Sequence, residues 1–584
     1  MQPDTILYRL FPFLHWLPEL RRREVLRADL VAGVTVALIL IPQSMAYAKL
    51  AGLPPVYGLY AAFLPPVVAA LFGSSRHLAT GPVAMASLIS AATVQNIAPE
   101  GSETFIAASI LLALMVGVLR LTLGLLRLGM LVNLLSSPVV VGFSNAAALV
   151  IITSQLHHLF GVGVDKGEYH YQTVARVLGK LVTEAHLPTV GMAFLAALAI
   201  YALQRFWPRL PHVLGAVIAT TLVSYLAGFD GQVVGEIPQG LPTFALPAID
   251  PDLVSRLATG AVVITLIGLM EAMSIAKTIA VRTRQHIDIN QELIGQGLAN
   301  LAGSFFQSYA VSGSFSRSAI NHSSGSVTGF ASVVCSLMVV LALFFLTPLL
   351  YYLPLATLAV IIVFALVKLV RIKPLVTAWR VTPYDGGIGA ITFVATLAWA
   401  PQLHYGILGG IVLSVALYLY RTMRPHVAYL ARHGDGTLRD ADVYGLKLDQ
   451  RIALLRFDGR LYFGASSYFE DKILEAIARL PDLRYIVIDA GGINHIDASG
   501  EQILRQVVER LRDGGIDVYL TRVKQQIVEV LERTGSMDFI GRDHFFPWNQ
   551  HALEHLWDQM EPTYKARCPL NVATSDTKAG SWSI

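Results

Sequence analysis

From residue 30 to Tyr420 the sequence consists almost entirely of apolar segments, each about as long as a membrane-crossing helix. Only 14% of the 584 residues are charged and 54% are hydrophobic, whereas an ordinary soluble domain carries about 25% charged residues. So few charges cannot cover the surface of several soluble domains. We therefore predict a polytopic α-helical membrane protein.

The length of the apolar segments predicts about fourteen membrane spans. Their approximate bounds are 30–50, 56–73, 82–97, 105–125, 130–160, 188–206, 211–228, 258–281, 290–305, 315–325, 327–347, 354–370, 385–400 and 403–421. Alternate connections carry arginine, at Arg76, Arg127, Arg205, Arg282 and Arg371, and the opposite connections carry Glu100, Asp230, Glu236 and Asp250. The positive-inside rule then predicts that both termini are cytoplasmic, which requires an even number of spans.

Charged residues return after Arg421, and the chain divides accordingly. Residues 1–29 are predicted to be a cytoplasmic arm rather than a signal peptide, because arginines precede the first apolar run and no small-residue cleavage site follows. Residues 30–421 form the membrane domain and 422–450 a linker. Strand-like and helical patterns alternate over 451–560, which predicts a soluble α/β domain, and the polar residues 561–584 are predicted to be disordered.

Several functional classes lack support in the sequence. Cys335 and Cys568 do not suggest a disulfide, and a net charge of +4 gives no reason to expect a nucleic-acid partner. His157 and His158 suggest a metal, but no further ligand has a suitable spacing, so we predict neither metal nor cofactor. The motifs HExxH, GxSxG and the P-loop are missing from the sequence, which argues against an enzyme.

Two predicted spans are interrupted by polar, glycine-containing stretches. The first contains Gly81-Pro82, which suits a helix start, and the second runs from Tyr309 to Ser318 and contains Arg317. A simple kink and a polar loop would explain them separately. However, they lie in about the third and tenth spans, as a 7+7 inverted repeat requires, and facing half-helix N-termini form anion sites in such transporters.

Glu271 lies in an otherwise apolar span, and carboxylates at such positions are costly and usually functional. It can carry a proton or provide a counter-charge for Arg317. The alternative is that it neutralises Lys277, but residues six apart are not neighbours on a helix.

Three motifs carry a resemblance to a known family. The run LIPQSMAYAKLAGLPPVYGLYAAFLPPVVAALFGSSRHLATGPVAMASL resembles the signature of the SulP sulfate permeases and related anion exchangers. The later FSRS agrees with it, and Asp497-Ala498-Ser499-Gly500 is similar to the DxSG loop of a STAS domain. The resemblance extends from about Arg27 to Phe545.

The resemblance implies a 7+7 inverted repeat with core and gate domains, an elevator-like mechanism, a homodimer, and a STAS domain that regulates or assembles the protein through a possible cytoplasmic partner. It also implies an anion site between the third and tenth helices. That site would contain Gly81, Pro82, Val83 and Ala84 on one side, Phe315, Ser316 and Arg317 on the other, and Gln43 and Tyr47 from the first span.

Two further positions are interpreted through the same resemblance. Glu271 occupies the carboxylate position associated with proton coupling in some members, whereas sodium-coupled bicarbonate members tend to have Asp there, so Glu favours protons or simple exchange. Ser499 stands where bacterial STAS regulators are phosphorylated. The alternative is that Ser499 only caps the following helix.

We therefore predict a secondary active transporter of a small anion in a bacterial inner membrane. Sulfate is the leading substrate, by proton symport or anion exchange, followed by bicarbonate with sodium coupling and then dicarboxylates. A nucleobase permease is less favoured, because Arg317 suits a negative ligand. A membrane-tethered STAS signalling scaffold is the alternative from another class, although an anchor needs only one or two spans.

Overall fold

The computed structural model describes residues 11–571 except 165, 166, 168, 208–210 and 368. The chain separates into two compact units that divide at Ser414 and Val415. The start of the predicted N-terminal arm, residues 1–10, and the end of the predicted tail, residues 572–584, lie outside the described residues.

The first unit is helical and strongly apolar. Among the described residues, seven helices are long and apolar enough to cross a membrane: Arg23–Leu50, Glu103–Leu125, Ser137–Phe160, Leu187–Phe206, Pro251–Thr283, Phe330–Leu350 and Leu403–Met423. Four shorter apolar helices are Val56–Phe72, Ala84–Val94, His212–Ala227 and Leu355–Val367. The remaining α-helices of this unit are His170–Glu184, Ile289–Ser304, Phe315–Ser323, Lys373–Val381 and Pro383–Ala398.

Most of these helices correspond to the predicted apolar segments, but three of them, Ile289–Ser304, Phe315–Ser323 and Pro383–Ala398, are not among the candidate spans. The count of fourteen spans therefore stays a prediction. The helices His170–Glu184 and Lys373–Val381 were not predicted, because each carries apolar residues on one face only and not along its whole length.

The two interrupted segments meet. Strand β1, Thr80–Gly81, pairs antiparallel with strand β2, Ser312–Gly313. Each strand leads directly into a short helix, Ala84–Val94 after β1 and Phe315–Ser323 after β2, which we call the first and second half-helices. Two further hydrogen bonds join the segments, because Ala79 donates its N–H to the Ser318 hydroxyl (2.8 Å) and accepts from the Ser314 N–H (2.9 Å). The predicted proximity of the two breaks is thus present in the structure.

A third helix, Ile289–Ser304, holds both strands, and we call it the clamp helix. Glu292, Gln296 and Asn300 lie on one face of it, since their spacing of four residues is close to one helical turn. Each side chain is at most 3% exposed. They therefore need partners inside the protein.

The partners are the two interrupted segments. Glu292 accepts from the backbone N–H groups of Ser74 and Ser75, both at 2.9 Å. Gln296 donates to the Thr80 hydroxyl at 2.6 Å. Asn300 accepts from the N–H of Val311 at 2.9 Å and donates to its carbonyl at 3.1 Å, as a neighbouring β-strand would. One helix thereby fixes the approach to both half-helices.

In its described part, the second unit contains six strands: β3 (His426–Arg432), β4 (Leu438–Asp440), β5 (Ile452–Asp458), β6 (Tyr485–Asp489), β7 (Asp517–Thr521) and β8 (Phe545–Phe546). They form one sheet in the order β4-β3-β5-β6-β7-β8. Strands β5 to β8 are parallel neighbours, and β3 pairs antiparallel with β4 and β5. The helices are Ala441–Tyr444, Ser466–Arg479, Ala498–Asp513, Gln525–Thr534, Ser536–Ile540, Asn549–Asp558 and Pro562–Arg567. The predicted alternation of strands and helices is confirmed.

The predicted limits of this domain need two corrections. The segment 422–450 is not only a linker, since it contributes β3 and β4 to the sheet. Residues 561–571 are not disordered: Tyr564 and Cys568 both donate to the carboxylate of Asp449, at 2.5 and 3.1 Å, and Leu570 is buried. The polar composition of the tail conceals these few anchoring side chains.

The clamp helix generates a stability prediction. The change Asn300→Ala leaves the buried N–H of Val311 without its acceptor, which costs about 1–3 kcal/mol. We expect a lower thermal unfolding temperature for the purified full-length protein. Ser304→Ala is the matched control, because the buried Ser304 hydroxyl donates to the carbonyl of Leu301 in its own helix. Equal unfolding temperatures for the two variants would contradict the role given to Asn300.

The docked tail generates a second prediction. Leu570 is 1% exposed, and a buried Leu→Ala change costs about 2–5 kcal/mol. We expect Leu570→Ala to accelerate limited proteolysis of the C-terminal domain in the full-length protein. Thr563→Ala, at an exposed position of the same tail, is expected to have no effect. If the tail were disordered, neither change would alter the proteolysis rate.

Candidate functional site

Arg317 lies in the first turn of the second half-helix and is only 1% exposed. One guanidinium nitrogen, Nη1, donates to the side-chain oxygen of Gln43 at 3.4 Å. The other two nitrogens, Nε and Nη2, have no hydrogen-bond partner among the residues that the structure describes. A buried guanidinium with unused donors is costly unless a ligand completes its hydrogen bonds.

The paired strands β1 and β2, which we call the crossing, bring Arg317 next to the first half-helix. Gly81 adopts a φ of +149°, which side chains disfavour, and a Cβ at this position would lie 3.3 Å from Nη2 of Arg317. Glycine therefore lets the backbone of β1 approach the guanidinium. Pro82 lies two residues before the first helical residue, Ala84, and not at the first helical position.

Both half-helices start without a side-chain cap. Val83 and Ser314 are the N-cap residues, and neither side chain accepts a hydrogen bond from a backbone N–H of the first helical turn. The N–H groups of the first turn have no acceptor within a helix, and they carry the positive end of the helix dipole. Two such ends on paired strands form an environment that favours an anion.

Gln43 and Tyr47 are both 6% exposed and lie one turn apart on the helix Arg23–Leu50. Tyr47 interacts electrostatically with Arg317 and with Glu271. The charges of Arg317 and Arg120 both act on Glu271. The structure thus brings Gln43, Tyr47, Glu271 and Arg317 together around the crossing.

Phe315 and Ser316 differ from Arg317 in solvent exposure. Phe315 is 48% exposed, and the guanidinium of Arg371 lies 5.7 Å from the centre of its ring. Ser316 is also exposed, and its hydroxyl lies 3.5 Å from that of Ser314. These two residues can contact a solute that reaches the half-helix from outside, whereas Arg317 lies inside the protein.

Sequence reasoning missed three buried polar residues near the crossing. Tyr309 is fully buried, and its hydroxyl lies 3.1 Å from that of Ser87 in the first half-helix. Asn300 binds Val311, as described above. Arg120 is buried in an apolar helix and donates to the carbonyl of Val311 at 2.9 Å. The rule that singled out Glu271, a charge inside an apolar span, applies equally to Arg120.

In the C-terminal domain, Asp497 and not Ser499 caps the helix Ala498–Asp513. Its carboxylate accepts from the N–H groups of Gly500 at 2.8 Å and Phe463 at 3.1 Å. Ser499 is exposed on the first turn. The interpretation of Ser499 as a mere cap is therefore wrong, and its phosphorylation stays a prediction.

Comparison with known proteins identifies the family. The model of the sulfate permease family matches residues 26–392, and that of the STAS domain matches residues 446–552. The chloroplastic sulfate transporter 4.1 of Arabidopsis thaliana is 33% identical over 92% of this chain and 81% of its own. A probable sulfate transporter of Mycobacterium tuberculosis is 32% identical over 90% of this chain and 94% of its own.

The fold is also that of a solved structure. Murine Solute Carrier 26 family member A9, described as an anion transporter in the inward-facing state, superposes with a TM-score of 0.87 at 23% identity. The match covers 96% of this chain and 95% of the murine chain. This protein is therefore an integral membrane protein that belongs to the sulfate permease family and carries a C-terminal STAS domain.

Proposed function

We propose that this protein is a secondary transporter of a small anion and that sulfate is its leading substrate. The observation that carries the proposal is the buried guanidinium of Arg317, whose Nε and Nη2 have no partner among the described residues, beside two uncapped half-helices. A tetrahedral oxyanion offers several acceptors to such donors. The relatives named as sulfate transporters support the choice of sulfate.

The proposed site contains the residues predicted from the sequence. Arg317, with Gln43 and Tyr47 beside it, would bind the anion directly, and the N–H groups of Val83 and Ala84, which follow Gly81 and Pro82, would complete its hydrogen bonds. Phe315 and Ser316 would form the exposed approach to the site. Bicarbonate and dicarboxylates remain alternatives, because the same donors suit any small oxyanion.

The proposed coupling mechanism uses Glu271. Protonation of this carboxylate would remove its negative charge while a divalent anion enters, and this corresponds to proton symport. Exchange of one anion for another would not require protonation of Glu271. An elevator-like movement is supported by the clamp helix, since it attaches both half-helices to one element. We also propose that the protein is a homodimer in a bacterial inner membrane. Both of its termini would be cytoplasmic, and the STAS domain would be available to a partner.

The first functional prediction concerns Arg317. In proteoliposomes, Arg317→Gln is expected to reduce uptake of labelled sulfate at least about tenfold, because a charge-assisted hydrogen bond is lost together with its charge. Arg282→Gln, at an exposed arginine of the helix Pro251–Thr283, is the control and should transport normally. Normal sulfate uptake by folded Arg317→Gln protein would exclude this site, whereas a membrane-tethered signalling scaffold predicts no sulfate uptake even by the wild type.

The second functional prediction concerns Glu271. An inward proton gradient is expected to accelerate sulfate uptake by the wild type, whereas Glu271→Gln, which cannot gain or lose a proton, should transport at a rate independent of the gradient. Glu103→Gln, at an exposed helix terminus, is the control. A gradient effect that persists in Glu271→Gln would assign coupling to another group. Competition by bicarbonate or fumarate, and dependence on sodium, test the alternative substrates.

A further inference from the structure

Arg120 is among the largest fully buried side chains of the described chain, at 1% exposed. It belongs to the membrane helix Glu103–Leu125. Its Nη1 donates to the carbonyl of Val311 at 2.9 Å and its Nη2 to the carbonyl of Ile264 at 3.1 Å. Its Nε has no hydrogen-bond partner in the described part of the chain. Two neutral carbonyls satisfy part of its hydrogen-bonding capacity but supply no counter-charge.

The surroundings of Arg120 are built around its guanidinium. A Cβ at Gly268 would overlap Nη2 of Arg120, so the helix Pro251–Thr283 makes room for this group with a glycine. Glu271 follows three residues later, on the same face of that helix. It is also the charged residue that acts on Arg120. Arg120 therefore lies between Glu271 and strand β2, which begins directly after Val311.

The charged groups around the crossing can be counted. Glu271 interacts electrostatically with both Arg120 and Arg317, and the other groups that act on Arg317 are Tyr47, Tyr309 and Cys335, which are neutral at physiological pH. Among the described residues of the membrane domain, the buried carboxylates are Glu292 and Asp29, and both bind the backbone N–H groups of loops, at Ser74 and Ser75 and at Val327 and Thr328.

This count gives the crossing a formal charge of +1 when Glu271 is ionised and +2 when it is protonated. A net charge that remains inside the protein is unfavourable. The site has no net charge in two states: when a divalent anion is bound and Glu271 is protonated, and when a monovalent anion is bound and Glu271 is ionised. Without Arg120, the corresponding values would be 0 and +1, and no state would balance a divalent anion.

We propose that Arg120 is a specificity-determining residue: its charge, held between Val311 and the helix of Glu271, adapts the site to a divalent oxyanion taken up together with one proton. It acts through the electrostatics of the site and not by touching the substrate. The inference rests on the proposed function, and it adds the charge of the substrate and the residue that sets it.

The test compares sulfate with nitrate, a monovalent oxyanion, on the full-length protein in proteoliposomes at fixed pH. The interaction of a divalent anion with the charge of Arg120 is twice that of a monovalent one. Arg120→Gln is therefore expected to lower the preference for sulfate over nitrate by about tenfold or more. Arg120→Lys, which keeps the charge but changes the hydrogen bonds, is expected to keep the preference within about threefold of the wild type.

A double variant separates charge from structure. Arg120→Gln combined with Glu271→Gln has a formal charge of +1, whereas Arg120→Gln alone has 0 when Glu271 is ionised. We therefore expect the second change to restore part of the sulfate affinity, measured as KM, that the first one removes. A purely structural role for Arg120 predicts no such recovery and an equal loss in Arg120→Lys, and either result would overturn the proposal.

Glu271→Gln alone provides a measurement that does not depend on the folding of an Arg120 variant. Its formal charge is +2 at every pH, so its preference for sulfate over nitrate should exceed that of the wild type above neutral pH. An unchanged preference would overturn the role of the net charge. Absence of sulfate uptake by folded wild-type protein is a different outcome, since it would contradict the proposed function itself.

Discussion

The pairing of β1 with β2 is the interaction on which the rest of the membrane domain depends. Two residues from each strand form this sheet, Thr80 with Gly313 and Gly81 with Ser312. In a lipid environment an interrupted helix exposes backbone groups that water cannot satisfy, so the interruption is tolerated only where protein groups or a cavity take them up. The two interruptions satisfy each other. This reciprocity explains why both half-helices begin at one place.

The same constraint explains the distribution of buried charge around the strands. Glu292 and Asp29 supply acceptors to loop N–H groups that would otherwise have none, and Arg120 supplies donors to the carbonyls of Ile264 and Val311. These charges complete the backbone. Arg317 differs from them in degree, because two of its nitrogens remain without a partner in the described chain, whereas one nitrogen of Arg120 does. Among these charged residues, Arg317 therefore has the most hydrogen-bonding capacity left for a ligand.

Much of this arrangement could be predicted from the sequence. Apolar length marks the helices, and Gly81-Pro82 and the serine-rich stretch before Arg317 mark the breaks, since both signals are local. The clamp helix itself was predicted as the span 290–305, but its role was not. Glu292, Gln296 and Asn300 resemble the polar face of an exposed helix, and only tertiary packing shows that they are buried. Strand β3 and the anchor at Leu570 were missed for a related reason, because short elements depend on partners distant in the chain.

The geometry of the crossing limits how selectivity can arise. Backbone N–H groups at helix ends and a guanidinium bind the oxygen atoms of many anions. In the proposed site, hydrogen bonding alone would therefore distinguish sulfate poorly from other oxyanions. Net charge is a coarser property but acts over a longer distance, so residues that never contact the ligand can contribute to it. Because the proposed site combines general anion donors with the buried charges of Arg120 and Arg317, the valence of the substrate would be the property that it selects most directly.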